Sequence, residues 1–185
     1  METKKNILRA FAGESMARNK YTFFAKKAQT EGFEGIARIF EETAENEKAH
    51  ALRLIKLLNE DATSTLENYG LHPIKSTLEN LKVAAKGEHY EWTEMYPSFE
   101  KTAKKEAHNE IAKVFKEIAE VEEEHEKRYL ALYKKVKDKK VFESKEPIRW
   151  KCLNCGYIHE GKTPPDKCPA CDHPQSFFEP LCKNY

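Results

Sequence analysis

The chain has 185 residues, 34% of them charged, and a net charge of +1. That balance argues against nucleic acid or a membrane surface as the main partner, and no apolar run approaches the length of a spanning helix. The N-terminus, METKKNILRAFAGES, has no signal-type apolar core, so the cytoplasm is the default location.

The composition divides the chain. Residues 1–138 are rich in Ala, Glu, Lys and Leu and hold only two of the eight prolines, Pro73 and Pro97. The other six prolines and all five cysteines lie beyond residue 146. The expected organisation is a helical domain over 1–138, a linker over 139–147 and a small second domain over 148–185. The lysines near the junction read as a solvated helix end, where cations suit the dipole.

Apolar residues at three- and four-residue steps predict four helices in the first domain. The first runs from about Lys4 to Thr30, with Ile7, Phe11, Tyr21, Phe24 and Ala28 on its stripe. EGFEG breaks it at 31–35. The second runs from about Glu34 to Asn59, with Ile36, Phe40, Ala44, Leu54 and Leu57. Residues 59–75 are long for a turn between neighbouring helices and suggest a crossover. Ser76 with Glu79 has the capping-box form and starts the third helix. The fourth runs from about Asn109 to Lys137, with Ile111, Phe115, Ile118, Tyr129, Leu132 and Val136.

The domain repeats internally. EGIARIFEETAENEKAHALR (34–53) aligns with NEIAKVFKEIAEVEEEHEKR (109–128) at an offset of 75. Ile36 meets Ile111, Phe40 meets Phe115, Glu42 meets Glu117, Glu47 meets Glu122, His50 meets His125 and Arg53 meets Arg128. Glu122 and His125 occupy two positions in the middle of an apolar stripe, and Glu47 lies seven residues from both Phe40 and Leu54. These side chains are predicted to face inward, where an unpaired carboxylate is very costly. Glu14 in FAGES and Glu88 in KGEH also fall on inward stripes, at an offset of 74. Tyr21 and Tyr96, and Phe24 and Phe99, return to 75. The third helix therefore holds one extra residue between Glu88 and Tyr96. Pro97 leaves the Thr93 carbonyl without its helical partner, and a π-bulge would absorb the insertion.

One Glu from each of two helices and Glu-x-x-His from each of the other two is the constellation of a di-iron carboxylate bundle of the ferritin-like kind. The donors suit iron or manganese, with zinc possible. The competing reading is a set of buried polar residues that merely pair with one another. Glu91, one turn after Glu88, has Ala17 as its counterpart. Four carboxylates balance two divalent ions, and a fifth suits a pair that rises to trivalent. Glu91 is therefore expected to be a ligand to one iron in one oxidation state, against the alternative of a solvated pair at the stripe edge. His89, Glu45, Glu123 and Glu124 are expected to face outward.

In the second domain, Cys152-x-x-Cys155 and Cys168-x-x-Cys171 make two knuckles for one tetrahedral zinc or iron. In a reducing compartment this pattern reads as a metal site rather than a disulfide framework. Gly156 permits a turn that aims N–H groups at sulfur. Tyr157, Phe177 and Phe178 offer a small core, too small to fold without metal. Cys182 reads as an ordinary thiol, and His159 and His173 as loop residues.

AFAGESMARNKYTFFA, EETAENEKAH, KGEHYEWTEMYPSF and CGYIHEGKTPPDKCPACDHPQSFF occur in order, and with them the chain resembles the rubrerythrin family over essentially its whole length. The resemblance implies a mainly α protein: a ferritin-like four-helix bundle with a small C-terminal rubredoxin-like domain. It implies two non-haem irons held by Glu14, Glu47, His50, Glu88, Glu91, Glu122 and His125. It favours iron over zinc on Cys152, Cys155, Cys168 and Cys171. It implies peroxidase activity that reduces hydrogen peroxide to water and protects against oxidative stress, with Glu91 exchanging for His50 at one iron. Electrons would come from an NAD(P)H-dependent rubredoxin reductase-type donor, and a head-to-tail homodimer would pass them between subunits. Tyr21 and Tyr96 are candidates for hydrogen bonds to ligand carboxylates or plain core aromatics. The competing functions are a ferroxidase that stores iron and a zinc-stabilised interaction or electron-transfer protein. The first leaves the cysteine module idle, and the second leaves the inward Glu and His residues unexplained.

Overall fold

The computed structural model describes residues 1–67 and 69–183. Helices α1 (Glu2–Thr30) and α2 (Glu34–Ile55) form an antiparallel hairpin. Gly32, at φ +78°, closes α1. Its N–H donates to the Gln29 carbonyl, and that of Phe33 to Ala28, at 3.0 and 2.9 Å, the double bond of a Schellman ending. The second helix ends at Ile55, short of the expected Asn59, and Leu57 and Leu58 pack on the core from the turn that follows. Among the described residues of 56–76 there is neither helix nor strand. The segment is the expected crossover.

Ser76 and Glu79 form the capping box. One rod follows, made of α3 (Thr77–Tyr90), a π-helical segment (Glu91–Met95) and α4 (Tyr96–Lys105). The Tyr96 N–H donates to the Glu91 carbonyl, five residues back. The inserted residue is thus absorbed where the change of offset places it. The rod ends with Ala107 at φ 62°, using the same pair of bonds as Gly32: Ala107 N–H to Lys104 and His108 N–H to Ala103. Helix α5 (Asn109–Lys137) packs antiparallel to the rod and completes the bundle.

The internal repeat organises the packing. Tyr21, Phe24, Ile36 and Phe40 belong to one apolar cluster, and their partners Tyr96, Phe99, Ile111 and Phe115 belong to another. A buried aromatic such as Phe40 or Phe115 stabilises the fold by about 1.5–3 kcal/mol. Between the clusters lies a buried polar layer of Glu14, Glu47, Glu88, Glu122 and His125. The two halves also cap each other. Glu31, at the end of α1, accepts the Thr77 N–H of α3 at 2.8 Å. Its counterpart Glu106, at the end of α4, accepts the Glu2 and Thr3 N–H groups of α1 at 3.1 and 3.0 Å.

The C-terminal module is a three-stranded antiparallel sheet of β1 (Ile148–Cys152), β2 (Ile158–Gly161) and β3 (Phe178–Pro180), in the order β2-β1-β3. His159 lies on β2, so the expectation of a loop position is corrected. It faces Trp150 across the ladder, where the β1 register continues. Trp150 is the largest buried side chain of the module core and donates from Nε1 to the Gly161 carbonyl at 3.0 Å. Phe178, Phe177 and Tyr157 pack around it as expected. The module rests against the α1–α2 turn, where Gly32 faces Ser176 and Gly35 faces Glu179. No helix among the described residues is long and apolar enough to cross a membrane.

Candidate metal centres

The structure gathers six of the seven expected side chains into two overlapping groups. Glu14, Glu47, His50 and Glu122 form one; Glu47, Glu88, Glu122 and His125 form the other. The donor atoms within each group lie within 4.8 Å of one another. Glu47 and Glu122 are common to both. Each His stands one turn after its Glu, so both reach the same interior layer. The His50 Nδ1 lies 3.0 Å from Glu122 Oε1, 3.1 Å from Glu47 Oε2 and 3.5 Å from Glu14 Oε2. That of His125 lies 2.6 Å from Glu122 Oε2 and 3.3 Å from Glu47 Oε1.

These contacts do not satisfy the layer. Glu14 Oε2, Glu47 Oε1, Glu88 Oε2, both Glu122 oxygens and His125 Nδ1 are buried without an aligned hydrogen bond. Such orphans are rare in folded proteins. Burial pushes the carboxyls of Glu14 and Glu88 well above the ordinary range. Burial also acts on Glu47, but His125 and His50 outweigh it and bring Glu47 down to about 2. Burial disfavours the His125 cation, yet Glu122 and Glu47 raise it to about 9, and His50 is raised by the same kind of neighbours. Concentrated negative charge, unfilled lone pairs and a mixed imidazole–carboxylate donor set together fit two divalent metal ions.

Tyr21 donates its hydroxyl to Glu88 Oε1, and Tyr96 donates to Glu14 Oε1. Each ring is also part of an apolar cluster. Glu91 is the side chain not brought into either group. It lies half-buried on the π segment, with Oε2 buried and unpartnered. Burial, with Glu122 and Glu47 next, pushes it up to about 8, while Lys20 draws it down. His89, Glu45 and Glu124 are exposed, as expected, and Glu123 is half-buried.

Four polar contacts around this layer do not follow from the apolar stripes. Trp92 Nε1 donates to Glu126 Oε2 at 2.6 Å, and a His89 ring nitrogen lies 3.1 Å from the same oxygen. Arg128 donates to Glu42 Oε1 and Thr43 Oγ1 at 2.7 and 2.6 Å, tying α5 to α2. The repeat of Arg53 and Glu42 at Arg128 and Glu117 is the one sequence signal for that tie. Tyr129, wedged against Tyr21 and Phe40, has a buried hydroxyl without a partner.

The four cysteines meet as expected. Cys152 Sγ and Cys171 Sγ are 3.7 Å apart, and Cys155 Sγ and Cys168 Sγ are 3.6 Å apart. Thiolates about 2.3 Å from one metal ion stand about 3.8 Å apart at the corners of a tetrahedron. The two knuckles repeat each other at the backbone. Gly156 N–H donates to Cys152 and Asp172 N–H to Cys168, both at 2.9 Å; Cys152 N–H donates to Tyr157 and Cys168 N–H to His173, both at 2.8 Å. Gly156 and Asp172 hold the same left-handed position, at φ 80° and 58°. The backbone N–H of His173 helps bring Cys171 down to about 6. A thiolate is thereby favoured, as metal binding requires.

A family model described as Rubrerythrin matches residues 5–133, and a second, described as Rubrerythrin, rubredoxin-like domain, matches residues 150–179. The chain belongs to the rubrerythrin family. It is 52% identical over 184 residues to rubrerythrin of Porphyromonas gingivalis, covering 100% of this chain and 92% of that one. It is 48% identical over 183 residues to rubrerythrin of Nitratidesulfovibrio vulgaris, covering 99% and 96%. Among solved structures it is similar to nigerythrin in a fully reduced, all-ferrous state, with a TM-score of 0.65 and 34% identity over 97% of this chain and 86% of that one. As a rubrerythrin, it has a di-iron site of glutamate and histidine and a rubredoxin-like iron site of four cysteines, and the donor sets described above fit both.

Proposed function

We propose that this rubrerythrin is a non-haem di-iron peroxidase that reduces hydrogen peroxide to water. The reading is carried by one observation: a four-cysteine electron site and a buried glutamate–histidine layer, with an unpaired extra carboxylate at its edge, occur in one chain. Bound iron supplies the two electrons, and two protons complete the conversion of one peroxide to two waters.

The chain's own residues do the rest. Glu47 and Glu122, common to both donor groups, would hold both ions. Glu14 and His50 serve one side, Glu88 and His125 the other. Tyr96 and Tyr21 fix the outer carboxylates by taking up one oxygen of each. Glu91 would be the reserve ligand, available in place of His50 on oxidation, where its negative charge would suit a trivalent pair. Glu91 lies outside both groups but close enough to Glu122 and Glu47 to feel their charge, which supports that role.

The electrons enter from an NAD(P)H-dependent reductase-type donor through the cysteine module, where Cys155 is exposed. Within one chain the module lies at Gly35, and His50 is about four turns along α2, roughly 22 Å away. That separation favours delivery by the module of a second copy, in a head-to-tail homodimer. The His50 side chain is 14% exposed and opens to a cleft with Arg53, Lys113 and Glu117 between α2 and α5, a place for that module to dock.

The test is stopped-flow reoxidation of the reduced, iron-loaded protein by hydrogen peroxide and, separately, by dioxygen. Fast reaction with peroxide, slow reaction with dioxygen, and loss of the peroxide rate in Glu91→Ala are expected. Reaction at least as fast with dioxygen, indifferent to Glu91, would replace this reading with ferroxidase activity.

A further inference from the structure

Hydrogen peroxide needs little room, yet Glu91 borders a cavity of about 780 Å³ between α1, the α3–π rod and the crossover. That volume lies within the range of pockets for organic ligands. Met16, Phe23, Phe24, Leu71, Met95 and Phe99 make much of its wall apolar, with a minority of polar groups. Gly13 widens it, because a Cβ at that position would meet nothing within 4 Å. The Glu91 Oε2 is buried without a hydrogen-bond partner. Glu91 therefore meets the cavity through its other atoms, and a ligand with one polar head and an apolar body matches a wall of this kind.

We propose that this cavity admits organic hydroperoxides, with the alkyl or aryl group against the apolar wall and the –OOH head at Glu91. The inference rests on the peroxidase reading and names a second substrate class for the same centre. In the net reaction the O–O bond breaks. The carbon-bound oxygen leaves as the alcohol and the other oxygen as water. Two protons are taken up, and the two electrons come from the reduced di-iron pair.

The experiment uses the full-length, iron-loaded protein. The reduced form is mixed anaerobically with cumene hydroperoxide or hydrogen peroxide, and cumyl alcohol is quantified. Binding of cumyl alcohol to the oxidised protein is measured separately by equilibrium dialysis. Both are repeated with Gly13→Leu and Met16→Trp, which fill the cavity from α1. One alcohol per two electrons is expected. Each variant should lower the cumene hydroperoxide rate and the alcohol binding by about tenfold or more, with the hydrogen peroxide rate within about twofold. Reoxidation by hydrogen peroxide alone, with no alcohol bound, would overturn the inference and leave the peroxidase reading standing. Cumene hydroperoxide reduction indifferent to both substitutions would overturn the cavity as its route. Reoxidation by neither peroxide would overturn both readings.

Discussion

Tyr21 on α1 donates to Glu88 on α3, while Tyr96, its counterpart one repeat later, donates back to Glu14 on α1. Tyr21→Phe keeps the ring in its aromatic cluster but leaves Glu88 Oε1 unpaired in a buried layer. A loss of about 1–3 kcal/mol in the stability of the metal-free protein is expected, read by denaturant titration. The double variant Tyr21→Phe/Tyr96→Phe should deviate from the sum of its parts, because both bonds end in one coupled cluster.

Gly32 and Ala107 close their helices with the same pair of backbone bonds and at nearly the same positive φ. Only the second carries the Cβ penalty of the left-handed region. Ala107→Gly should therefore raise stability by up to about 1 kcal/mol, and Gly32→Ala should lower it by at least as much. The space at Gly32 is ordinary: a Cβ added there would stand 3.6 Å from Ser176 Cβ, so conformation rather than contact sets the cost. Paired thermal melts would check both.

Glu106 is held down to about 2 by its bonds to the Thr3 and Glu2 backbone. A depressed carboxyl stabilises the fold above its unfolded value of about 4.5 and loses that contribution as pH falls toward about 2. Glu106→Gln should lower the melting temperature at neutral pH. Its difference from the parent should shrink between about pH 5 and about pH 2. A constant difference across that window would show that the charge on Glu106 is not what matters.

Removing metal from the cysteine site should unfold the C-terminal module and leave the bundle helical. Its core is Trp150, Phe178 and two of the cysteines themselves, with few partners, and so small a core depends on its ion. Cys168→Ser should therefore shift Trp150 emission to the red while far-ultraviolet helix signal persists.

If the module serves a neighbour, two disabled chains should rescue each other. Cys168→Ser lacks one of the four sulfurs and Glu122→Ala lacks a carboxylate common to both donor groups. Co-refolded at equal amounts, they should recover roughly a quarter to half of parental peroxidase turnover, as expected for mixed dimers with one complete route. Activity equal to the sum of the separate variants would place the electron route within one chain.

Much of this molecule is legible in one dimension because the repeat makes it so. Matching stripes put Glu47 and Glu122 inside, and the change of offset from 74 to 75 locates the π segment. Helix ends are less legible. Leu57 and Leu58 continue an apolar pattern, yet the chain has already left α2 there, since a turn can bury them equally well. Glu91 stands out by charge balance rather than by the repeat, since its counterpart is Ala17, and it begins the π segment outside the two groups. Trp150 gives no periodic signal, because one residue of a short strand carries most of its module's core. The crossed caps of Glu31 and Glu106 depend on which helix ends meet, and no local pattern states that.

The single residue inserted into one half of the bundle has a consequence for the order of electron arrival. A strictly duplicated layer would present two equivalent seats with equal affinity for an electron. Here Glu91 and the π segment stand on one side only, and Ala17 on an unbroken helix stands on the other. In the proposed peroxidase cycle, two irons held there would differ in potential. A one-electron donor would then fill them in a defined sequence.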